Sequence, residues 1–350
     1  MIKSRYLAAA AALACTAPLV AAQTATARTA TARPADAGSR TAVRAPAWQQ
    51  VGDGITSGIS GMAVIPGPRA GSPDSHAGST GSRAGSTGSY GGSTGSYADG
   101  TDLLVARDNK EPGENRLAVI HLRPGDRPQV RPLAWKGSKA PADLEALDAV
   151  PGRTGEYVAL TSAGKGYHLR LDTAAGVART LGTFTVPGAS EDDNYEGFAL
   201  SSQGHRLVAV WADRGEDDRP GTLHAAGLDL ARRTFAKPVT ATFRAPYPAA
   251  HVRHISDVKI SASGALKVSS ASDHGDDGPF DSAVYDAGRV TVDRKGTVRL
   301  SVRRAPESLG RYTGHKIEAL ACLPHSRRGV LGTDDENAGG ALRIVSGGLC

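Results

Sequence analysis

The residues best placed to do chemistry in this chain are polar side chains that open apolar runs. In NYEGFAL, residues 194 to 200, Glu196 stands between an aromatic residue and the start of a strand-like stretch. A lone glutamate there would be a solvated strand end, but the pattern returns as GISGMAV around Ser60, DLEALDAV around Glu145, HISDVKI around Ser256 and KIEALACL around Glu318. Three carboxylates aimed at one narrow space would repel one another by several kcal/mol at low effective dielectric, unless one took up a proton or a cation sat among them. Calcium accepts six to eight oxygens from carboxylates, hydroxyls, carbonyls and water, whereas zinc would prefer histidine or cysteine, absent from these positions. Ser60, Glu145, Glu196, Ser256 and Glu318 are therefore the candidate Ca²⁺ ligands.

A second acidic set follows the strand after each anchor, at Asp108, Asp213, Asp273 and Asp334, with Glu216, Asp217, Asp276 and Asp277 beyond. These aspartates are candidate catalytic residues, although aspartate is also simply a good turn residue. The second unit departs from the pattern, offering Ser162 and Lys165. Lys165 and Arg214 are candidate ligands for phosphate oxygens, and His254, with His251 and His315, precedes an anchor strand and is a candidate substrate contact.

The elements that position these residues are short strands. The 350 residues include 43 Gly and 20 Pro, and Val/Leu/Ala runs recur between turn-forming clusters, which indicates an all-β chain. The anchors lie at 60, 145, 196, 256 and 318, giving intervals of 85, 51, 60 and 62 residues. The long first interval contains the repeat AGSTGSRAGSTGSYGGSTGSY, which has little to bury and reads as a flexible insertion at about 69–100. Without it the first interval falls to 53, and every unit is the size of one four-stranded propeller blade. The last unit is too short for four strands, so AWQQVGDG, ahead of Ser60, is expected to complete it and remove an open sheet edge. The expected fold is a five-bladed β-propeller over residues 46–350, closed by an N-terminal strand, with one anchor per blade facing the axis.

Residues 1–22 have the layout of a secretory signal peptide, and 23–45 read as a disordered basic Ala/Thr-rich spacer. Cys15 leaves lipoprotein anchoring open as an alternative to a fully secreted protein. Cys322 and Cys350 remain as an even pair in an exported chain, and a bridge between them is expected. The net charge of +6 comes almost entirely from the first 45 residues, so the propeller is nearly neutral and nucleic acid is not an expected partner. No segment after the leader is long and apolar enough to span a membrane.

GISGMAV, DLEALDAV, NYEGFAL, HISDVKI and KIEALACL with GTDDEN resemble the successive motifs of the family called esterase-like activity of phytase. Their Ser, Glu, Glu, Ser, Glu order also resembles the soluble calcium-activated nucleotidases, or apyrases. The resemblance implies a propeller with a central calcium ion, acting on phosphoesters or phosphoanhydrides of a small phosphorylated molecule, and the protein is expected to be a monomer. Ala146 and Ala319 stand where the family pattern has glycine, and LTSAGK replaces an acidic loop. The alternative is a non-catalytic, calcium-stabilised binding or scaffold module for a component of the cell envelope.

Overall fold

The computed structural model describes residues 47–67, 100–123, 125–324 and 326–350. The expected signal peptide, the basic spacer, Cys15 and nearly all of the Gly/Ser/Thr insertion lie outside the described residues.

Five antiparallel-based sheets follow one another along the chain, each beginning at an anchor. Blade one is built on strands Gly61–Ile65, Thr101–Ala106, Leu117–Leu122 and Gln129–Pro132. Blade two runs through Leu144–Ala149, Glu156–Thr161, Lys165–Asp172 and Val177–Thr185, and the short strand Ala134–Lys136 adds to its edge in parallel. Blade three comprises Tyr195–Gln203, Arg206–Asp213, Gly221–Asp229 and Val239–Phe243, with Thr234–Phe235 beside the third strand. Blade four uses Val252–Ile260, Ala265–Ser272, Asp281–Val292 and Val298–Thr313. Blade five contains Ile317–Cys322, Arg328–Thr333 and Gly340–Ser346.

The missing fourth strand of blade five comes from the other end of the chain, as expected. Gln49–Gly52 pairs antiparallel with Gly340–Ser346, placing Gln49 opposite Leu342 and Gln50 opposite Ala341. The first strands of the blades touch in chain order, and the last of them touches the first, so the ring is closed. This contact is tight where blades one and two meet: a Cβ on Gly61 would lie 2.7 Å from the backbone nitrogen of Leu147.

Apolar side chains fill the seams between blades. Four large clusters join one to two, two to three, three to four and five to one, with Tyr157, Phe198, Trp211 and Tyr285 among their fully buried members. The seam between blades four and five is thinner, with a buried cluster of Val284, Ile317, Leu320, Leu331 and Leu349. Two devices reinforce it. Trp48 lies against His315 with ring centroids 4.1 Å apart, and Cys322 is disulfide-bonded to Cys350 across a Cα separation of 5.5 Å. The bridge ties the C-terminal residue to the first strand of its own blade.

Candidate functional site

Each glutamate anchor sits in a β-bulge, which is why it escapes the alternation of the strand that carries it. Leu144 pairs with Thr161 and Ala146 with Leu160, leaving Glu145 as the extra residue. The same irregularity leaves Glu196 unpaired between Tyr195 and Gly197, and Glu318 between Ile317 and Ala319. In blade four the break is wider and spans Arg253 to Asp257, with Ser256 inside it. A bulge re-aims a side chain without ending the strand. Here it turns Glu145, Glu196 and Glu318 into one cavity of about 410 Å³.

Among the candidate catalytic residues, Asp108, Asp273 and Asp334 line this cavity, as does Asp276 from the loop beyond. Arg214 also lines it, donating from Nη1 to Glu196 Oε1 at 3.1 Å. A Cβ on Gly58 would run into the Asp334 carboxylate, so the approach of blade one to blade five at the mouth requires glycine there.

Other candidates are placed elsewhere. Asp213 is buried beneath the mouth, where Oδ2 accepts from the Asn194 backbone at 2.9 Å and Oδ1 accepts from Gly215 at 3.1 Å and from Arg219. It is a turn-holding residue, the ordinary role of an aspartate at a loop. Lys165 is exposed on blade two, over the Tyr167 ring, and does not line the cavity. His254 is 2% exposed: its Nδ1 accepts from Ala245 at 3.1 Å, and its Nε2 donates to the Asp217 carbonyl at 2.7 Å. Burial holds it below the usual histidine range, so it serves as a neutral internal link rather than a substrate contact. His251 lies against His274 at a tilt of 54° outside the cavity, and His315 pairs with Asp335 at 2.7 Å. Ser60 and Ser256 are buried and do not line the cavity, and Ser256 Oγ contacts Ser269 Oγ and the Ile317 carbonyl.

Two functional groups were invisible as such in the sequence. Arg253 donates from Nη1 to Glu196 Oε1 and to Glu318 Oε1, each at 3.1 Å, and from Nη2 to Asp273. Lys316, almost fully buried, places Nζ 3.1 Å from Glu318 Oε1 and also bonds Glu336. These internal cations answer part of the carboxylate repulsion for which an ion was expected. Blade two, in turn, is not without an acid. Asp143, two residues before Glu145 and held at φ 62°, lines the mouth and accepts from Ser162 Oγ.

The charge balance of the cavity remains acidic, with eleven carboxylates against Lys110, Arg214, Arg253 and Lys316. Burial, then Glu196 and Glu318, push Glu145 far above the carboxylate range. Burial also raises Glu318, to about 7, with Lys316 and Arg253 opposing. Asp334 is raised by burial and by Glu318, and Asp108 chiefly by burial. Asp273 behaves oppositely: burial would raise it, but Arg253 and Lys316 outweigh burial and keep its carboxyl below the usual range.

One subset brings three carboxylates close together. Asp108, Asp143 and Glu145 each offer an oxygen within 4.8 Å of the others. The same cavity receives Glu196, 3% exposed and with Oε2 buried and unpartnered, and Asn194, whose Oδ1 is also buried and unpartnered. An all-oxygen donor set with unmet acceptors fits a hard cation such as calcium.

No family model and no curated protein matches the chain. Solved structures similar to it include the α-L-arabinofuranosidase PaAbf62A from Podospora anserina in complex with cellotriose, at 10% identity, with 85% of this chain and 100% of that one covered and a TM-score of 0.43. A GH43 endo-arabinanase from Bacillus licheniformis is similar at 13% identity, with 70% of this chain and 89% of that one covered and a TM-score of 0.41. No residue role is taken from either, and neither is a phytase or an apyrase, so the phytase-like resemblance rests on the anchor motifs.

Proposed function

We propose that this protein is a secreted, calcium-dependent hydrolase of phosphorylated small molecules, phytase-like or apyrase-like, working at the axial mouth. The observation that carries the reading is the juxtaposition, in one cavity, of the Asp108, Asp143 and Glu145 oxygens with the cations Arg214, Arg253 and Lys316. Asp108, Asp143 and Glu145 would hold the ion, which when bound polarises a phosphoryl oxygen. Arg214, anchored through one terminal nitrogen on Glu196, offsets charge on the phosphoryl group. Asp273, kept ionised by Arg253, accepts the proton of the attacking water, and Glu318, titrating near 7, is able to return a proton to the leaving oxygen. The Cys322–Cys350 bridge supports export to an oxidising compartment. No helix among the described residues is long and apolar enough to cross a membrane.

The test is phosphate release from nucleotides, phytate and an aryl phosphate, each with Ca²⁺ and with chelator. Turnover should require the ion and fall by about 10²–10⁴ in Asp273→Asn. Absence of release from all three substrates with calcium present would refute the hydrolase. One observation weighs against the non-catalytic, calcium-stabilised alternative: Arg253 already links carboxylates from blades three, four and five, the pinning a structural ion would otherwise supply.

A further inference from the structure

Of the four bases in the axial cavity, three are fixtures. Lys316 and Arg253 are 2% and 16% exposed and Arg214 is 18% exposed, and each is paired with a buried glutamate. Withdrawing any of them would leave that carboxylate with less compensation in a poorly solvated site. Lys110 is different. Its side chain is 63% exposed, yet its Nζ lies 3.0 Å from Asp143 Oδ1 and 3.8 Å from Asp108 Oδ2.

Those two carboxylates, with Glu145, form the cation-ready cluster, so Lys110 sits on two of its three members. The loop that carries Lys110 is pinned where it matters. Asn109, 7% exposed, donates to the Asn115 carbonyl at 2.7 Å and to Thr56 at 3.3 Å, while its own carbonyl accepts from the Asp143 backbone at 3.5 Å. The tether is short at its root and free at its tip. The ammonium is held near the cluster and can turn into solvent, but doing so leaves the buried Asp143 Oδ1 without it, an oxygen that a divalent cation would then meet. Meanwhile Glu196 Oε2 stays buried and unpartnered, so Lys110 leaves an acceptor in this cavity unmet.

We propose that Lys110 is a built-in competitor for the cation site: its ammonium holds Asp108 and Asp143 until a divalent cation displaces it to solvent. This inference rests on the cation site of the proposed function and assigns the regulation of that site. Its consequences are a cation affinity set below what the carboxylates alone would give, and a site whose charge is partly balanced when no ion is bound.

The experiment is calcium titration by calorimetry of the full protein, comparing wild type with Lys110→Gln and, as a control, Lys139→Gln on the exposed surface away from the cavity. Release of two half-exposed ion pairs should tighten binding by Lys110→Gln about tenfold at low salt. The difference should narrow in high salt, where exposed charges are screened. Lys139→Gln should match wild type. A second readout is acylation of Lys110 followed by mass spectrometry, which should rise when calcium is added.

Equal calcium affinity in wild type and Lys110→Gln, with Lys110 labelling unmoved by calcium, would overturn the competitor and leave the metal site standing. Failure of every variant to bind calcium would overturn the site and the competitor together.

Discussion

Arg253 and Glu196 meet across a blade boundary, the Nη1 of one 3.1 Å from the Oε1 of the other, and the same Nη1 is 3.1 Å from Glu318 Oε1. One guanidinium thus holds two bulged glutamates from the blades on either side of its own. Glu145, the third bulged glutamate, has no such partner, and this asymmetry separates the glutamates experimentally.

In chelator at pH 8, Glu196→Gln should cost about 1–3 kcal/mol, because Arg253 and Arg214 lose a charged acceptor while remaining largely buried. Glu145→Gln should be neutral or stabilising under the same conditions, since burial and the neighbouring carboxylates are the largest influences on Glu145. With calcium present, Glu145→Gln should forfeit the stabilisation that the ion confers on wild type. Thermal unfolding of each variant with calcium and with chelator tests this, and equal costs for the two in chelator would show that the glutamates are not partnered as described.

The opposite stretch of the first strands carries a second charged link. Lys259 Nζ donates to the Leu147 carbonyl at 2.7 Å and lies 3.8 Å from Asp257, whose Oδ2 accepts from the Leu320 backbone at 2.7 Å. Burial raises Asp257 to about 7, with Lys259 the main opposing influence. A raised carboxyl takes up its proton more readily folded than unfolded, so its burial weighs against stability increasingly as pH climbs from the ordinary carboxylate range toward that value. Lys259→Met removes the opposing charge and pushes the folded value higher. Its cost should therefore rise between pH 5 and pH 8, by up to about 1.4 kcal/mol, the worth of the one pH unit by which pH 8 exceeds the wild-type value. Denaturant melts at the two pH values would settle it, and a cost independent of pH would exclude Asp257 as the cause.

The thin seam between blades four and five should be where the ring opens first. The Cys322–Cys350 bridge spans 28 residues, and losing it through Cys350→Ser should lower stability by up to about 3–4 kcal/mol on the loop-entropy account. Trp48→Ala, which removes the ring lying against His315, should destabilise by about 3 kcal/mol or less, because Trp48 is only partly buried. Hydrogen exchange should show blade five losing protection ahead of blade three in both variants. Uniform loss of protection around the ring would mean that the seam is no weaker than the others.

Much of the fold was legible because it is written in local terms. Polar anchors at regular intervals marked the blade starts, a short last unit demanded a strand from elsewhere, and an even cysteine pair foretold the bridge. The anchors' bulges were less visible: NYEGFAL shows a glutamate at a strand start, but not that Tyr195 and Gly197 pair with consecutive partners around it. The internal cations were missed for a related reason. Arg253 and Lys316 precede their anchors by three and two residues, where a basic residue ordinarily reads as solvated; the closing of the ring turns Arg253 onto glutamates of both neighbouring blades, whereas burial folds Lys316 onto Glu318 of the strand that follows it. Asp143 was hidden likewise, since DLE offers two acids and only the left-handed turn at Asp143 brings the first beside the second. Asp213 and His254 misled because a turn residue and an internal hydrogen-bonding histidine have the same residue types as a reactive pair.

The bulges also bear on how such a molecule can change. A bulged residue belongs to no ladder pair, so replacing Glu145, Glu196 or Glu318 leaves the register of its strand intact. Three of the positions that line the mouth are thereby uncoupled from the strand pairing that sets the architecture. New specificities could be drafted there one residue at a time, on a frame that would still close.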